Sequence, residues 1–347
     1  MDKLPRVTIV LLCGALSIYL SIVVLSYIKH IQAKKYSIGL VWVPSRAFQE
    51  QLGTNFMRTI KHDKRFILKE FSAPSTADLI ALNAICEAAL DTDTDIFLTI
   101  GFNCAKTLSQ LSKKRKSPKP IVMCGVFEPA ARDVVDSLER PGGSTTGIYD
   151  AGPYTIIHPI DILLALKPEA KSILMPYVVT AHDNENHVYN AKRIALSHGV
   201  QVTPLPINKA EDALDLIGAI ISNYDSIIYL EGDNLSPYGG GIGKLASQHG
   251  VTLFASSPDA DGTAAFTYYV EFAYIAQQAY AMIQKIIFNK EDPATTPVKQ
   301  LTSSRILTIN TNCCAQQGMS HVNIRETIKS IQTNSYFDIL HNRIKVV

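Results

Sequence analysis

The sequence predicts an α/β protein of two lobes, each a parallel sheet covered on both faces by helices. Three observations carry that prediction. From residue 36 onward, short and nearly continuous apolar runs alternate with amphipathic segments, the pattern of repeated βαβ units. The runs fall into two consecutive sets, separated at Asp150-Ala151-Gly152-Pro153, where Gly and Pro interrupt any regular element. At 347 residues, 47% hydrophobic and 18% charged, the chain is too apolar for disorder and long enough for two cores.

In chain order, the apolar runs predict strands at Ser37–Val43, Phe66–Phe71, Asp95–Ile100, Ile121–Val126 and Thr145–Tyr149. A second set follows at Ser172–Tyr177, Gln201–Pro206, Ser226–Leu230 and Thr252–Ala255. Helices are expected from near Arg46, after the capping sequence Ser75-Thr76-Ala77-Asp78, and over 104–112, 158–166, 184–198, 209–222, 236–248 and 268–289.

Ahead of the first strand, Val7 to Ile28 is an uncharged run of 22 residues. As a helix it would reach about 33 Å, enough to span a bilayer. The run is longer than a cleavable signal's apolar region, and Ile31 spoils Ala33 as a small-x-small site, so an uncleaved signal anchor over residues 1–35 is expected. Basic residues flank both ends of the run, and charge bias alone leaves its orientation open.

The formal charge is +2, but residues 1–35 hold five basic and one acidic residue, so the remainder carries two more acidic than basic groups. Such a body offers no electrostatic footprint for nucleic acid. Five cysteines beyond Cys13 have neither C-x-x-C spacing nor nearby histidines, so no zinc site is expected, and Cys104 and Cys124 read as small buried hydrophobes. GGGIGK at 239–244 lacks the glycine and hydroxyl of a phosphate loop, because Tyr238 and Leu245 stand in their places; it reads as a flexible loop entering a helix. SPDADG at 257–262 lacks the first and twelfth ligands of a calcium loop. His182, Asp183, Glu185 and His187 read as a solvated loop, and Lys113-Lys114-Arg115-Lys116 as an exposed one. With no G-x-S-x-G and no cysteine–histidine arrangement, no catalytic residue, metal or cofactor is predicted.

In parallel α/β sheets ligands sit beyond the carboxyl ends of the strands. Those segments are Pro44-Ser45-Arg46, Gly101-Phe102-Asn103, Phe127-Glu128-Pro129, Tyr177 to Asn186, Glu231-Gly232-Asp233-Asn234 and Ser256 to Gly262. Their mixture of rings, amides, hydroxyls and carboxylates suits a small-molecule cleft.

At these residues the sequence resembles the substrate-binding proteins of ABC transporters of the tryptophan-binding type, from about Ile38 to about Gly318. The stretches that carry the likeness are IGLVWVPS, DIFLTIGFNCAKTL, PIVMCGVFEPAARDVVDSLERPGGSTTGI, ALKPEAKSILMPY, YDSIIYLEGDN and the late LTIN. The resemblance implies the periplasmic binding protein type 1 fold, two Rossmann-like lobes joined by a three-crossing hinge. The first lobe would comprise 36–152 with 266–292, and the second 153–265 with 293–347. It also implies capture of amino-acid-like solutes, aromatic ones included, by hinge closure and delivery to an ABC permease and its ATPase. The globular part would then lie in the periplasm or extracytoplasmic space, tethered to the cytoplasmic membrane through residues 7–28. A tethered ligand sensor of the same fold is the alternative, and a signal-anchored glycosyltransferase a more distant one.

Carried over position by position, the site would draw on Ser45, Phe102, Asn103, Phe127, Glu128, Tyr177, Asn186, Asp233, Asn234, Gly262 and Tyr268. Where the family has threonine after its third and fourth strands, this chain has Phe102 and Phe127, which favours a flat or apolar ligand moiety. Helix N-termini after Ser45 and Asn103 would face an anionic group. Asp233 or Glu128 would pair an ammonium, with Phe102, Phe127 and Trp42 or Tyr268 as apolar walls.

Overall fold

The chain is organised by two sheets. A computed structural model describes residues 18–24, 35–44, 47–74, 79–126, 128–150, 152–179, 184–230, 235–257, 260–301, 305–319, 326, 329 and 343–347. In chain order the strands are β1 (Tyr36–Trp42), β2 (Phe66–Ser72), β3 (Ile96–Ile100), β4 (Ile121–Cys124), β5 (Thr145–Asp150), β6 (Ser172–Val178) and β7 (Gln201–Ile207). Then come β8 (Ser226–Tyr229), β9 (Thr252–Ala255), β10 (Phe266–Val270), β11 (Lys299–Leu301), β12 (Arg305–Ile309) and β13 (Arg343–Val346). The first sheet runs β11-β5-β4-β3-β1-β2 with every neighbouring pair parallel. The second runs β13-β12-β10-β9-β8-β6-β7, parallel except where β12 returns beside β10.

The period-two alternation of each strand divides its residues between two helical layers. In the first sheet, Ile38, Leu40, Ile96, Leu98 and Ile100 pack with the helices Ala47–Ile60 and Phe272–Phe288. Val41, Phe97 and Ile121 point the other way, toward the helices Leu79–Leu90 and Phe102–Lys113. In the second sheet, Ile173, Met175, Ile228 and Phe254 face the helices Gly152–Leu166 and Asn184–Ser197. Leu174, Ile227, Tyr229 and Leu253 face the helices Ala213–Ile220 and Gly239–His249. Both sheets are therefore covered on both faces, as the unbroken apolar runs predict.

The amino-terminal edges of the two sheets are fastened in the same way. Asp95 Oδ2 accepts from the amide and hydroxyl of Ser37 at 2.7 and 2.9 Å. Asp225 Oδ2 accepts from the amide and hydroxyl of Ser172 at 2.9 and 3.1 Å, and from the Lys171 amide at 2.7 Å. Below Asp225, buried Lys167 donates to the Asp225 carbonyl at 2.6 Å and to the Thr252 hydroxyl at 3.0 Å. Burial works against the Asp225 charge, but the Lys171 and Ser172 donors and the Lys167 ammonium outweigh it and hold the carboxyl below its ordinary value. Gln317, fully buried, closes the gap where β9 and β10 diverge: its Oε1 accepts from the amides of Leu253 and Ala265, and its Nε2 donates to the Thr263 carbonyl.

Several expectations are corrected. Residues 266–270 do not begin a helix in the first lobe. They form β10, with Phe266 opposite Phe254 and Ile309, and the helix starts only at Phe272 after Glu271. The crossing back to the first sheet therefore falls at Glu271, not at Phe266. The last crossing follows Leu301 rather than Pro293, because β11 pairs with β5. GGGIGK is helical throughout, from Gly239, since Gly243 lies so close to Thr263 that a Cβ there would stand 2.4 Å from the Thr263 Cβ. His182 and Asp183 lie outside the described residues, whereas 184–187 open the helix Asn184–Ser197. Most of Val7–Ile28 also lies outside them. Residues 18–24 are helical with exposed apolar side chains, and no helix among the described residues is long and apolar enough to cross a membrane.

The Asp225 fastening gives a stability prediction. Asp225→Ala should cost about 2–4 kcal/mol by urea denaturation at neutral pH, because several donors lose their acceptor and Lys167 its counter-charge. A carboxyl with a depressed folded-state value stabilises fully above its ordinary range of about pH 4 and loses that contribution as pH falls through the folded value. The deficit of the variant should therefore shrink on acidification below about pH 4.

Candidate functional site

The candidate site lies where the carboxyl ends of the two sheets are joined. The chain passes from β5 to the helix Gly152–Leu166, from β10 to the helix Phe272–Phe288, and from β11 to β12. The first passage leaves the carboxyl end of β5 and the second that of β10. The third leaves the carboxyl end of β11 and enters β12 at Arg305, opposite Val270 at the end of β10. All three connections join carboxyl edge to carboxyl edge, so those two edges face the same interlobe space.

On the first-lobe side, Gly101 ends β3 and caps the helix Phe102–Lys113 with φ 88°, and no side chain caps the exposed amides of that helix. A Cβ at Gly101 would stand 2.5 Å from Gln49 Nε2, so glycine is required both for the backbone angle and for the approach of Gln49. Gln49 Oε1 is buried without a hydrogen-bond partner among the described residues. The site therefore offers free helix N–H groups, the positive dipole end and an unused carboxamide oxygen. Gln49 was not among the sequence-predicted residues. Its signal was its place in the first turn of the helix that follows β1.

Of the predicted first-lobe residues, Asn103 is exposed in the first turn of that helix and Phe102 is half-buried, its ring 4.9 Å below the Arg132 guanidinium. Phe102 thus packs partly onto the small cluster around Val126 and Val134. Glu128 is exposed with φ 44°, in a turn where its carbonyl accepts from the Arg132 amide. Trp42 is not a wall of the cleft. It is 4% exposed, packed in the core with its Nε1 donating to Glu70. Ser45 and Phe127 lie outside the described residues.

On the second-lobe side, alternation along β10 separates the two tyrosines. Tyr268 is 2% exposed and belongs to the core with Phe254 and Phe266, which removes it from the site. Its neighbour Tyr269 turns to the other face, donates its hydroxyl to Asp261 Oδ2 at 2.9 Å and stacks on Phe272 at 6.3 Å between ring centroids. Asp261, exposed, also accepts from the Thr267 hydroxyl at 2.6 Å. Burial and the adjoining carboxylate push the Tyr269 phenol up, so it remains a donor at neutral pH. Asp261, Tyr269 and Phe272 thus form a carboxylate–phenol pair beside an aromatic ring at the second crossing. Gly262 next to them is exposed with φ 91°. Buried Ser256, just beyond β9, has a hydroxyl without a partner among the described residues.

Tyr177 is half-buried at the end of β6 and packs against the helical layer. Asn186 falls in the first turn of the helix Asn184–Ser197, whereas Asp233 and Asn234 lie outside the described residues. The described residues contain no group of three or more His, Cys, Asp or Glu able to hold a metal ion. The five described cysteines are buried and unbridged, and burial pushes the thiols of Cys86, Cys104 and Cys314 up to about 12.

Two parallel-sheet lobes joined by three edge-to-edge crossings, with hydrogen-bonding groups along the joined edges, are the build of a two-lobed small-molecule clamp. The chain belongs to the ABC transporter substrate binding protein family, whose model matches residues 58–333. It is 26% identical over 141 residues to a tyrosine-binding protein of Clostridioides difficile strain R20291; the match covers 40% of this chain and 39% of that protein. Among solved structures, an ABC domain from Streptococcus pneumonia in complex with L-Trp superposes with a TM-score of 0.72 at 16% identity, covering 88% of this chain and 99% of the other. A ligand-free, open substrate binding protein with adhesive properties from Clostridium difficile gives 0.64 at 18% identity, covering 90% and 100%. The family model carries the assignment to substrate-binding proteins, and the structural likenesses establish the fold.

The Gly101 geometry gives a prediction for this rim. Gly101→Ala places a Cβ at positive φ and against Gln49, and should lower stability by about 1–3 kcal/mol in urea denaturation. Double substitution with Gln49→Ala should recover the part due to the clash and leave the backbone part.

Proposed function

We propose that this chain is a membrane-tethered, extracytoplasmic receptor that captures an amino-acid-like solute with a flat, aromatic portion and presents it to an ABC importer. The observation that carries the reading is the joining of the two carboxyl edges by three chain crossings, with complementary chemistry on the two sides. The uncapped helix at Phe102 suits a carboxylate, and the Gln49 carboxamide oxygen suits an N–H donor of the solute. Asp261 with Tyr269, together with Asp233 from the sequence, suits an ammonium, and Phe272 with Phe102 and Phe127 suits a ring. The printed names of two relatives, a tyrosine-binding protein and a domain in complex with L-Trp, support an aromatic amino acid as the first class to test.

The mechanism is closure of the lobes. Contacts made by both rims exist together only when the edges approach, so the solute shifts a hinge equilibrium toward the closed state. The three crossings are the segments that would bend. The exposed apolar side chains of residues 18–24 support the tether, since they have no protein surface to cover them.

Binding is tested by thermal denaturation of the full chain in mild detergent with L-Tyr, L-Trp and control amino acids. At one hundred times Kd the expected stabilisation is about 2.7 kcal/mol, a rise in midpoint of a few degrees. Asp233→Ala and Asp261→Asn should each abolish or sharply reduce that rise while leaving the unliganded midpoint within about 2 °C. Absence of a shift with every aromatic amino acid rejects the solute class. A shift unaltered by Asp233→Ala removes that residue from the site.

A further inference from the structure

We propose that the amino-terminal edge of the first sheet is a lipid-facing surface that lies against anionic phospholipid headgroups; the inference rests on the reading of residues 7–28 as a membrane span. The chain emerges toward those residues at Tyr36, the first residue of β1. Only seven residues separate Ile28 from Tyr36, a reach of at most about 30 Å even when fully extended. Whatever edge Tyr36 occupies is thereby held close to the bilayer.

One stretch of that edge is basic, the one that follows the helix Phe102–Lys113. Because the strands are parallel and the helices run antiparallel to them, strand starts and helix ends gather there. The end of the helix Phe102–Lys113 and the turn after it supply Lys113, Lys114, Arg115, Lys116 and Lys119, with no acidic residue among them. The first four are exposed, and the segment is fixed to the sheet by the Phe97 amide donating to the Pro120 carbonyl at 2.9 Å. Lys61, Lys64 and Arg65 follow the helix Ala47–Ile60 and are exposed.

The point of emergence is itself flanked by cations. The Tyr36 amide donates to the Arg65 carbonyl at 2.8 Å, and the Lys290 ammonium stands 5.7 Å from the centre of the Tyr36 ring. Some acidic groups of the edge are engaged within the protein. Asp95 accepts from Ser37, Asp63 pairs with Arg65 at 2.6 Å, and Asp91 pairs with Arg115 at 2.8 Å. Glu87, Asp93, Asp136, Glu139, Glu291 and Asp292 remain as opposing charges elsewhere along the edge. Lys113, Lys114, Lys116 and Lys119 have no acidic partner among the described residues, and lipid phosphate is the anion that a tether of at most about 30 Å keeps nearby. Contact there would fix the orientation of the first lobe and leave the second free to move.

The test uses the full chain in nanodiscs of phosphatidylcholine alone or with one part in three phosphatidylglycerol, treated with a water-soluble amine-acylating reagent and read lysine by lysine by mass spectrometry. In about 50 mM salt, acylation of Lys113, Lys114, Lys116 and Lys119 should fall at least about three-fold in the anionic discs relative to the neutral ones. It should recover at about 500 mM salt, while the exposed second-lobe residues Lys209 and Lys244 stay unchanged under all conditions. Equal acylation in both lipids, with the chain retained in the discs, overturns the lipid-facing edge but leaves the membrane span standing. Failure of the chain to remain with the discs after size exclusion overturns both. Protection spread equally to Lys209 and Lys244 also overturns the proposal, since it would report general shielding rather than one edge.

Discussion

The structure depends on one topological constraint: every passage of the chain between the sheets joins a carboxyl edge to a carboxyl edge. A parallel sheet places its strand ends, loops and helix N-termini at that edge. Joining two such edges three times covalently opposes two surfaces rich in backbone donors. One crossing would leave the lobes free to swivel. Three crossings restrict how the lobes can be arranged more than one does, and β10 and β12, which two of them meet, also pair with each other in the second sheet.

The opposite edges share a device of their own. At the amino edges Ser37 binds Asp95 in the first lobe and Ser172 binds Asp225 in the second, beside the buried Ser226 hydroxyl, which has no partner among the described residues. The strand orders β2-β1-β3-β4-β5 and β7-β6-β8-β9-β10 repeat likewise. The fastening thus occupies equivalent positions between the starts of the first and third strands of each lobe. At the carboxyl edges Gln49 Oε1 and the Ser256 hydroxyl lack partners among the described residues, and no side chain at Gly101 caps the helix that follows it. Buried polar groups that lack a partner are costly, and a solute that supplies the partner recovers that cost on binding.

Most of this was legible in the sequence for one physical reason. Strands buried on both faces must be apolar throughout, and β1, β3, β4, β6, β8 and β9 stand out as such. The late segments were harder. In FTYYVEF the residues Tyr269 and Phe272 have helical spacing, whereas the alternation that sends Tyr268 inward and Tyr269 outward covers only five residues. Pairing with β9 and β12 decides the matter, and such pairing is invisible locally. β11, at three residues, is too short to carry any period. The glycines of GGGIGK suggested a loop because propensity disfavours them in helices, yet packing against Thr263 makes glycine necessary at 243. For the site, strand-following position identified Phe102 and Asn103, but the role of Gln49 depends on its approach to Gly101, which spacing does not encode.

The distribution of reactive groups accounts for why such a cleft binds without transforming its solute. A nucleophile must be exposed and activated, and the described cysteines are neither: burial raises their thiols, removing thiolate at neutral pH. The Tyr269 phenol is likewise pushed up by burial and by Asp261, so it donates a hydrogen bond and keeps its proton. His198 is spent on Asp161 at 3.2 Å, on the helical layer. What the described residues bring to the interlobe space is a set of hydrogen-bond donors and acceptors beside aromatic rings, and groups of that kind discriminate by shape and hydrogen-bond complementarity.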